Sequence, residues 1–423
     1  MTCDCSRRDL LKVGSGGLLA MLFSGKLGSV FGQEQAARAK ACIFLFMYGG
    51  PSHIDTWDPK PKSPCGGTFR PIRTKAGYEI CEHMPEIAKV STKISIIRSM
   101  TSKEVDHGRG AYYLRTGYRP QESVEHPPLG SIFAKELARD DADVPPFVTI
   151  SPGFDTGLGA GLLGEVWSPF ILDTPGEVPS TLACPDILSE ERQSDRLRLL
   201  EEYEKRFGEQ RMEGEAALAR SLHQKAARYR KGPLRRALDL SREEDSVREA
   251  YGKNDGGYTP FGQSCLTARR LVESGVKFVE ITHQGWDTHE NNFDLTRDLC
   301  RETDAGFAAL VRDLDRRGVL DSTLIVWAGE FGRTPNINAQ GGRDHHGDVF
   351  SIALAGGGIR GGLVVGASDP DGSQVQHRAV TFPEVMATAA ALAGLNPEKE
   401  YSTPEERPIK LVDDARPIRE LIS

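Results

Sequence analysis

The chain has 423 residues, of which 39% are hydrophobic and 27% charged, a composition typical of one large α/β domain or two smaller ones. Its formal net charge is −7, and residues 1–32 carry four basic and two acidic side chains, so the remaining chain has a net charge of −9. This excess of acidic groups argues against nucleic acid, or an anionic membrane, as a general partner.

The first 32 residues predict a twin-arginine export signal. The run SRRDLLK at residues 6–12 precedes an apolar stretch from Val13 to Phe23 and small residues that end at Gly32. Eleven apolar residues are too few to cross a bilayer, which needs about 20. We therefore expect a cleaved leader and a mature chain in the periplasm or outside the cell, without stable membrane insertion. A buried N-terminal helix is the alternative.

Six cysteines follow the predicted leader. An oxidising compartment permits disulfides between them, but none forms a C-x-x-C pair and fifteen complete pairings are open. They are Cys42, Cys65, Cys81, Cys184, Cys265 and Cys300.

Strand and helix patterns alternate through residues 40–423. Short apolar runs predict buried strands at Ala41–Tyr48, Ile94–Arg98, Phe147–Ile150, Val276–Thr282, Thr323–Ala328 and Val349–Ala355. Helical periodicity predicts helices at Gln263–Ser274, Phe293–Arg317 and Phe382–Leu392, and the charged stretch at about 189–250 predicts a helical insert. This alternation predicts a three-layer α/β domain, with a mostly parallel central sheet and helices on both faces.

Polar residues cluster in five loops, most of which follow a predicted strand. Six of the ten histidines lie in these loops, together with aspartates and glutamates. Because ligands of parallel α/β sheets bind beyond the carboxyl ends of the strands, the five loops are expected to meet at one edge. The alternative is that the polar groups only hold the edge together by hydrogen bonds.

Imidazole and carboxylate groups suit a divalent metal such as zinc, manganese, calcium or iron. The candidate metal ligands are His53, Asp55, Asp287, His289, Glu330, His345 and His346. Arginine guanidinium groups suit a phosphate or sulfate, so Arg109, Arg333 and Arg343 are candidate anion-binding residues. His107, Arg109 and Arg333 are the candidate catalytic residues.

Several segments resemble the alkaline phosphatase/sulfatase-like superfamily. They are LDRRGVLDSTLIVWAGEFG at residues 314–332, LRTGYRP at 114–120, VFSIALAGGGIRGG at 349–362 and TFPEVMATAAALAGL at 381–395. The motifs GGPSHIDTWDPKP, DHGRGAYY, WDTHENNF and GEFGRTP are similar, more specifically, to the exported family of unknown function DUF1501. The resemblance covers most of the chain and implies an alkaline-phosphatase-like fold.

Residue by residue, the resemblance implies an altered site. His345 stands where the superfamily has its last metal histidine, with His346 as the alternative, and Asp287 and His289 resemble an earlier Asp and His pair, for which His283 competes. Glu330 stands where a metal-binding aspartate is expected. The position of the usual nucleophile falls on His107 instead of a serine, threonine or cysteine.

Two functions follow from this pattern. The first is an exported metal-dependent hydrolase of sulfate or phosphate esters, on small molecules or polysaccharides, in which water attacks directly or His107 is the nucleophile. The second is a non-catalytic protein that binds an anionic glycan or partner in the same cleft. The sequence does not specify the oligomeric state.

Overall fold

The computed structural model describes residues 37–139, 141–152, 158–182, 189–208, 222–230, 232–403 and 405–423. The predicted export signal and Cys184 lie outside these ranges. From Arg38 onwards the described residues belong to one compact unit. Among them, no helix combines the length and the apolar character needed to cross a bilayer.

The principal strands form the central sheet: β1 Ala41–Met47, β4 Ile94–Met100, β5 Phe147–Ile150, β6 Phe170–Leu172, β9 Phe278–His283, β10 Thr323–Ala328, β13 Phe350–Ala355 and β14 Val364–Val365. Short strands form small two-stranded sheets: β2 Pro71–Arg73, β3 Glu79–Cys81, β7 Lys253–Asn254, β8 Gly257–Tyr258, β11 Gly332–Arg333, β12 His345–His346, β15 Ala367–Ser368, β16 Val375–His377, β17 Glu400–Ser402 and β18 Pro408–Lys410.

The helices are α1 Pro85–Val90, α2 His107–Thr116, α3 Leu129–Leu137, α4 Glu190–Gly208, α5 Pro233–Leu238, α6 Asp245–Ala250, α7 Pro260–Glu273, α8 Asn292–Arg316 and α9 Phe382–Leu392. Residues 222–230 are also helical. Together with α4, α5 and α6 they make the described part of residues 189–250 largely helical.

The central sheet has the order β14-β4-β13-β10-β1-β9-β5-β6. All neighbouring pairs are parallel except those of β13, which runs antiparallel to both β10 and β4. The predicted fold class, a mostly parallel sheet with helices, is therefore confirmed. Because only β13 is reversed, the loop that precedes it lies at the same edge as the loops that follow the other strands.

The middle strand shows why the sheet needs two helical layers. Residues 41–47 are buried on both faces, so the run reads as continuously apolar. Ile43 and Leu45 pack into the core cluster that includes α7 and α8, whereas Phe44 and Phe46 pack into the cluster that includes α3 and α9. Among the described residues, five cysteines carry free thiols: Cys42, Cys65, Cys81, Cys265 and Cys300.

Candidate metal centre

Two glycines turn the chain sharply at the end of β1, beneath the candidate site. Gly49 has φ of +116°, and a Cβ there would lie 2.2 Å from the backbone nitrogen of Asp287. Glycine is the residue that accepts both the left-handed conformation and this close approach. The turn therefore brings the loop after β1 against the loop after β9, at the carboxyl edge of the sheet.

His107 enters the site from the first turn of α2. The helix begins after Asp106, whose side chain accepts a hydrogen bond from the backbone N–H of Arg109. His107 Nδ1 lies 2.7 Å from Oε1 of Glu330, which also accepts the backbone N–H of Gly49. Since the carboxylate oxygen is an acceptor, Nδ1–H of His107 is the donor and Nε2 carries the lone pair.

Two further imidazoles are oriented in the same way. His345 Nδ1 donates to the backbone carbonyl of Val105 over 2.7 Å, and His289 Nδ1 donates to Asp344 Oδ1 over 3.0 Å. Their Nε2 atoms lie 3.0 Å apart. Each of the three imidazoles thus has its Nδ1–H bound to an oxygen and its Nε2 turned towards the other side chains, the arrangement that second-sphere acceptors give to metal-binding histidines.

Asp287 is the point at which these side chains meet. Its Oδ1 lies 3.3 Å from His107 Nε2, 3.1 Å from His289 Nε2 and 3.3 Å from His345 Nε2. Burial opposes ionisation of this carboxyl, but Arg333 and His107 outweigh burial and lower its pKa to about 2. The carboxylate is therefore charged throughout the physiological range.

The donor set fits a divalent ion. One ligand atom each from His107, Asp287 and His345 lies within 4.8 Å of the other two. Nitrogen and oxygen ligands at about 2.0–2.1 Å in a tetrahedron are separated by about 3.3 Å, close to the contacts with Asp287. His107 Nε2 is buried, has no hydrogen-bond partner among the described atoms and lies 3.3 Å from Asp287 Oδ1, so its lone pair is directed towards the other two ligand atoms.

Neighbouring charges shift the pKa values of His107 and His345 in opposite directions. Burial disfavours the cation of His107, yet the hydrogen bond and the charge of Glu330 outweigh it, so the pKa of His107 is raised. The pKa of His345 is lowered by burial and by the positive charge of Arg333. His345 is thus the imidazole whose neutral, metal-binding form is favoured.

Arg333 is enclosed by the protein. Its side chain is fully buried, and it donates to the backbone carbonyls of Gly49, Gly50 and Arg343. It also donates to Asp287 Oδ1 over 2.5 Å. The guanidinium therefore fixes the carboxylate of the centre, and the expected roles of Arg333 in catalysis and anion binding do not fit its burial.

Arg343 is likewise enclosed. Its guanidinium forms a buried ion pair with Asp55, with contacts of 2.7 and 3.2 Å, and donates to the backbone carbonyls of Thr334, Pro335 and Cys65. The expected anion site at Arg343 and the expected metal ligand at Asp55 are thus both occupied by this pair. The two residues join the loop after β1 to the loop before β12.

Three other expected site residues bond elsewhere. His53 Nε2 lies 2.9 Å from the carbonyl of Gly372, and His346 Nε2 lies 2.8 Å from the carbonyl of Ser373. Arg109 is about half exposed and pairs with Glu104. None of these contacts is to the converging histidines, so the structure gathers only part of the expected set: His107, Asp287, His289, Glu330 and His345.

Sequence reasoning missed the residues that orient the ligands. Asp344 stands next to His345 in the run GRDHHGD, which was a usable signal. The carbonyl of Val105 gives no signal, because every residue has one. Phe331 is buried, and its ring centroid lies 5.1 Å from that of His107 and 4.5 Å from that of His345. Its side chain has no ligand atom for a metal, and it packs against the two imidazoles instead.

The chain belongs to the family described as protein of unknown function (DUF1501), whose model matches residues 39–422. The predicted family membership is thereby confirmed. No curated protein matches the chain in sequence.

Solved structures similar to the chain include hydrolases. The sulfatase PsFucS1 from Pseudoalteromonas sp. is 16% identical, with 86% of this chain and 70% of that chain covered and a TM-score of 0.42. The phosphonate monoester hydrolase SpPMH from Silicibacter pomeroyi is 9% identical, with 90% and 76% covered and a TM-score of 0.41. The TAB5 alkaline phosphatase with bound Mg is 12% identical, with 86% and 100% covered and a TM-score of 0.35.

Proposed function

We propose that this chain is an exported, metal-dependent hydrolase of phosphate or sulfate esters. The observation that supports it is the convergence of His107 Nε2, Asp287 Oδ1 and His345 Nε2 at an edge of the sheet that is open to solvent. The side chain of Asp287 is 44% exposed, so water and an ester can approach from that side. Three protein ligands and one open side are the mark of a catalytic site rather than a structural one.

A divalent ion held by His107, Asp287 and His345 would supply Lewis acidity, which would polarise an ester oxygen and lower the pKa of water towards neutrality. The chain's own contribution to the chemistry is His289. Its Nδ1–H is held by Asp344, so its Nε2 is aimed inward as a base beside the ligands. The water oxygen would bond to phosphorus or sulfur as the bond to the alcohol oxygen breaks; His289 would take the proton of the water and return it to the leaving alkoxide, which departs as the alcohol.

A bound divalent ion would give this edge, which carries the carboxylates of Asp287, Asp344 and Glu330, the positive charge that attracts an anionic ester. Helix α2 begins at His107, so the positive end of its dipole points into the site. The Asp106 carboxylate caps this helix end and offsets part of its charge, and Arg333 and Arg343, expected from the sequence to bind the anion, are enclosed. The ester would be a small molecule or a polysaccharide, met in the periplasm or outside the cell.

The test is metal content combined with turnover of aryl phosphate and aryl sulfate by the purified, folded chain. We expect about one divalent ion per chain in the wild type and its loss in His345→Ala. His289→Gln should keep the ion but lower kcat about 10²–10⁴-fold, the range for a missing acid–base group. His377→Ala, at an exposed histidine in β16, is the control and should match the wild type.

The outcomes separate the parts of the proposal. A wild type that holds no stoichiometric metal after reconstitution contradicts the metal centre. Loss of metal in His289→Gln shows His289 to be a ligand and contradicts its role as the base.

A second candidate is a non-catalytic protein that binds an anionic glycan or partner at this edge. Two observations favour it. The position of the usual nucleophile is occupied by His107, which has no hydroxyl group, and the two nearest hydroxyls upstream of it are bonded to backbone carbonyls. Thr101 Oγ1 bonds the carbonyl of Val380 and Ser102 Oγ bonds the carbonyl of Glu104. A fully metallated wild type that turns over neither ester, but retains salt-sensitive binding of a sulfated polysaccharide, would establish this alternative.

A further inference from the structure

We propose that Glu330 is a positioning residue of the metal centre, acting through His107, and not a ligand as its place in the sequence suggested. The proposal rests on the metal centre described under the proposed function, but it requires no particular reaction. Glu330 lies two residues after the end of β10, and its side chain is fully buried behind the imidazole of His107. It is therefore on the far side of that ring from Asp287.

The contacts of the two Glu330 oxygens are unequal. Oε1 accepts His107 Nδ1–H over 2.7 Å and the backbone N–H of Gly49 over 2.9 Å. Oε2 is buried and has no hydrogen-bond partner among the described atoms. A buried carboxylate with one unsatisfied oxygen is an unfavourable arrangement in a protein interior. We infer that the negative charge of Glu330 has a role that outweighs this cost.

The neighbouring cation does not meet that need. Arg333 lies close enough to interact electrostatically with Glu330, but its guanidinium is bonded to Asp287 and to backbone carbonyls. The charge of Glu330 is instead transmitted through Nδ1–H of His107, where it makes Nε2 a stronger ligand for a cation. The buried carboxylate thus both selects the tautomer of His107 and balances the charge of the ion.

Glu330 differs in this respect from the other two oxygen acceptors. His345 is oriented by a neutral backbone carbonyl, and His289 by Asp344, whose side chain is 56% exposed to solvent. A charge that is solvent-exposed is screened, whereas the charge of Glu330 acts through a dry interior. Of these three acceptors, Glu330 should therefore have the largest effect on metal affinity.

The experiment measures the affinity of the folded chain for Zn²⁺, by competition with a chromophoric chelator, in the wild type and in Glu330→Gln. Glutamine keeps the size of the side chain and an oxygen acceptor but removes the charge. We expect the affinity to fall about 10–100-fold. Glu302→Gln is the matched control, because Glu302 lies 3.5 Å from His283 Nε2, outside the centre; its affinity should equal that of the wild type.

A second readout reports on the imidazole itself. In ¹⁵N-histidine-labelled protein, assigned with His107→Gln, the ring proton of His107 should reside on Nδ1 and show a hydrogen-bonded resonance, which moves upfield in Glu330→Gln. A role that is only structural would lower thermal stability without changing zinc affinity at a temperature where the variant is folded. The wild-type spectrum gives an answer even if Glu330→Gln does not fold.

Three results would overturn the proposal. The first is a zinc affinity in folded Glu330→Gln equal to that of the wild type, which leaves the metal centre itself intact. The second is a His107 ring protonated on Nε2 and not on Nδ1 in the metal-free wild type. The third is a wild type that binds no zinc, which contradicts the metal centre and this inference together.

Discussion

His126 is held between two tyrosines in its neutral form. Tyr112 donates its hydroxyl proton to His126 Nδ1 over 2.9 Å, while the ring of Tyr118 stacks on the imidazole at 4.1 Å. Burial and the charge of Arg407 lower the pKa of His126 to about 4. Protonation at Nδ1 requires the Tyr112 hydroxyl to turn its own proton away, so it breaks the O–H···N bond described here.

His126 therefore predicts acid sensitivity. Because the pKa in the folded state lies below the unfolded value of about 6.5, the unfolded chain binds more protons between these limits, and stability falls as pH drops from about 6.5 to 4. The contribution is on the order of 3 kcal/mol. Urea unfolding between pH 4 and 7 should show a shallower decline in His126→Gln than in the wild type. An unchanged slope, or an equal effect of His377→Gln, would contradict this assignment.

The buried pair of Asp55 and Arg343 predicts a stability effect without a direct role in chemistry. Arg343→Ala leaves the Asp55 carboxylate buried and unpaired, which should cost about 3–5 kcal/mol of unfolding free energy. Arg109→Ala removes an exposed guanidinium and should change stability little. Chemical denaturation of both variants is the measurement. Loss of anion binding in Arg343→Ala at full stability would restore the role expected from the sequence.

Residue roles were predictable only in part. The positions of Asp287 and His345 near one another follow from strand ends, which the sequence shows. The enclosure of Arg333 and Arg343 does not, because a buried guanidinium that bonds backbone carbonyls and an exposed one that binds phosphate look alike in sequence. The role of each guanidinium depends on the groups that it bonds, and in this fold those groups are carbonyls and carboxylates on loops that are distant in sequence.

At the scale of elements, the turn after β1 controls the geometry of the centre. Gly49→Ala places a Cβ 2.2 Å from the backbone of the loop that carries Asp287, so that loop must shift. Gly77→Ala is the matched control, since Gly77 also has positive φ but a Cβ there meets nothing within 4 Å. Both variants bear the backbone cost of about 1–2 kcal/mol.

We expect Gly49→Ala to lose several kcal/mol more than Gly77→Ala. Its zinc affinity should fall as well, whereas that of Gly77→Ala should match the wild type. Urea unfolding and the chelator competition measure the two effects. Equal losses of stability in the two variants would show that Gly49 is not required for the close approach to the backbone of Asp287.

The main elements follow closely from sequence patterns. The predicted strand Thr323–Ala328 and helix Phe382–Leu392 match the observed bounds. The edge strands β6 and β14 were not predicted, because runs of three and two residues carry too little periodicity. The reversal of β13 was also missed, since an apolar run has no direction of its own.

For the whole molecule, the proposed metal centre predicts a link between ion binding and global stability. Zn²⁺ at 100 times its dissociation constant should stabilise the folded wild type by about 2.7 kcal/mol, because the unfolded chain does not hold the ligands together. The measurement is the thermal midpoint with and without zinc. His345→Ala should show no comparable rise, and a wild type whose midpoint ignores zinc would contradict the centre.

The reversed strand β13 has a consequence for the time at which the centre forms during folding. His107 and Glu330 are separated by 223 residues, and His345 reaches them only when β13 has entered the sheet. Contacts across such long loops form late, after their closure entropy has been overcome. In a partly folded chain the imidazoles of His107 and His345 are therefore not yet close enough to bind one ion together. Tight binding of an ion at this edge would therefore require that the central sheet has formed completely.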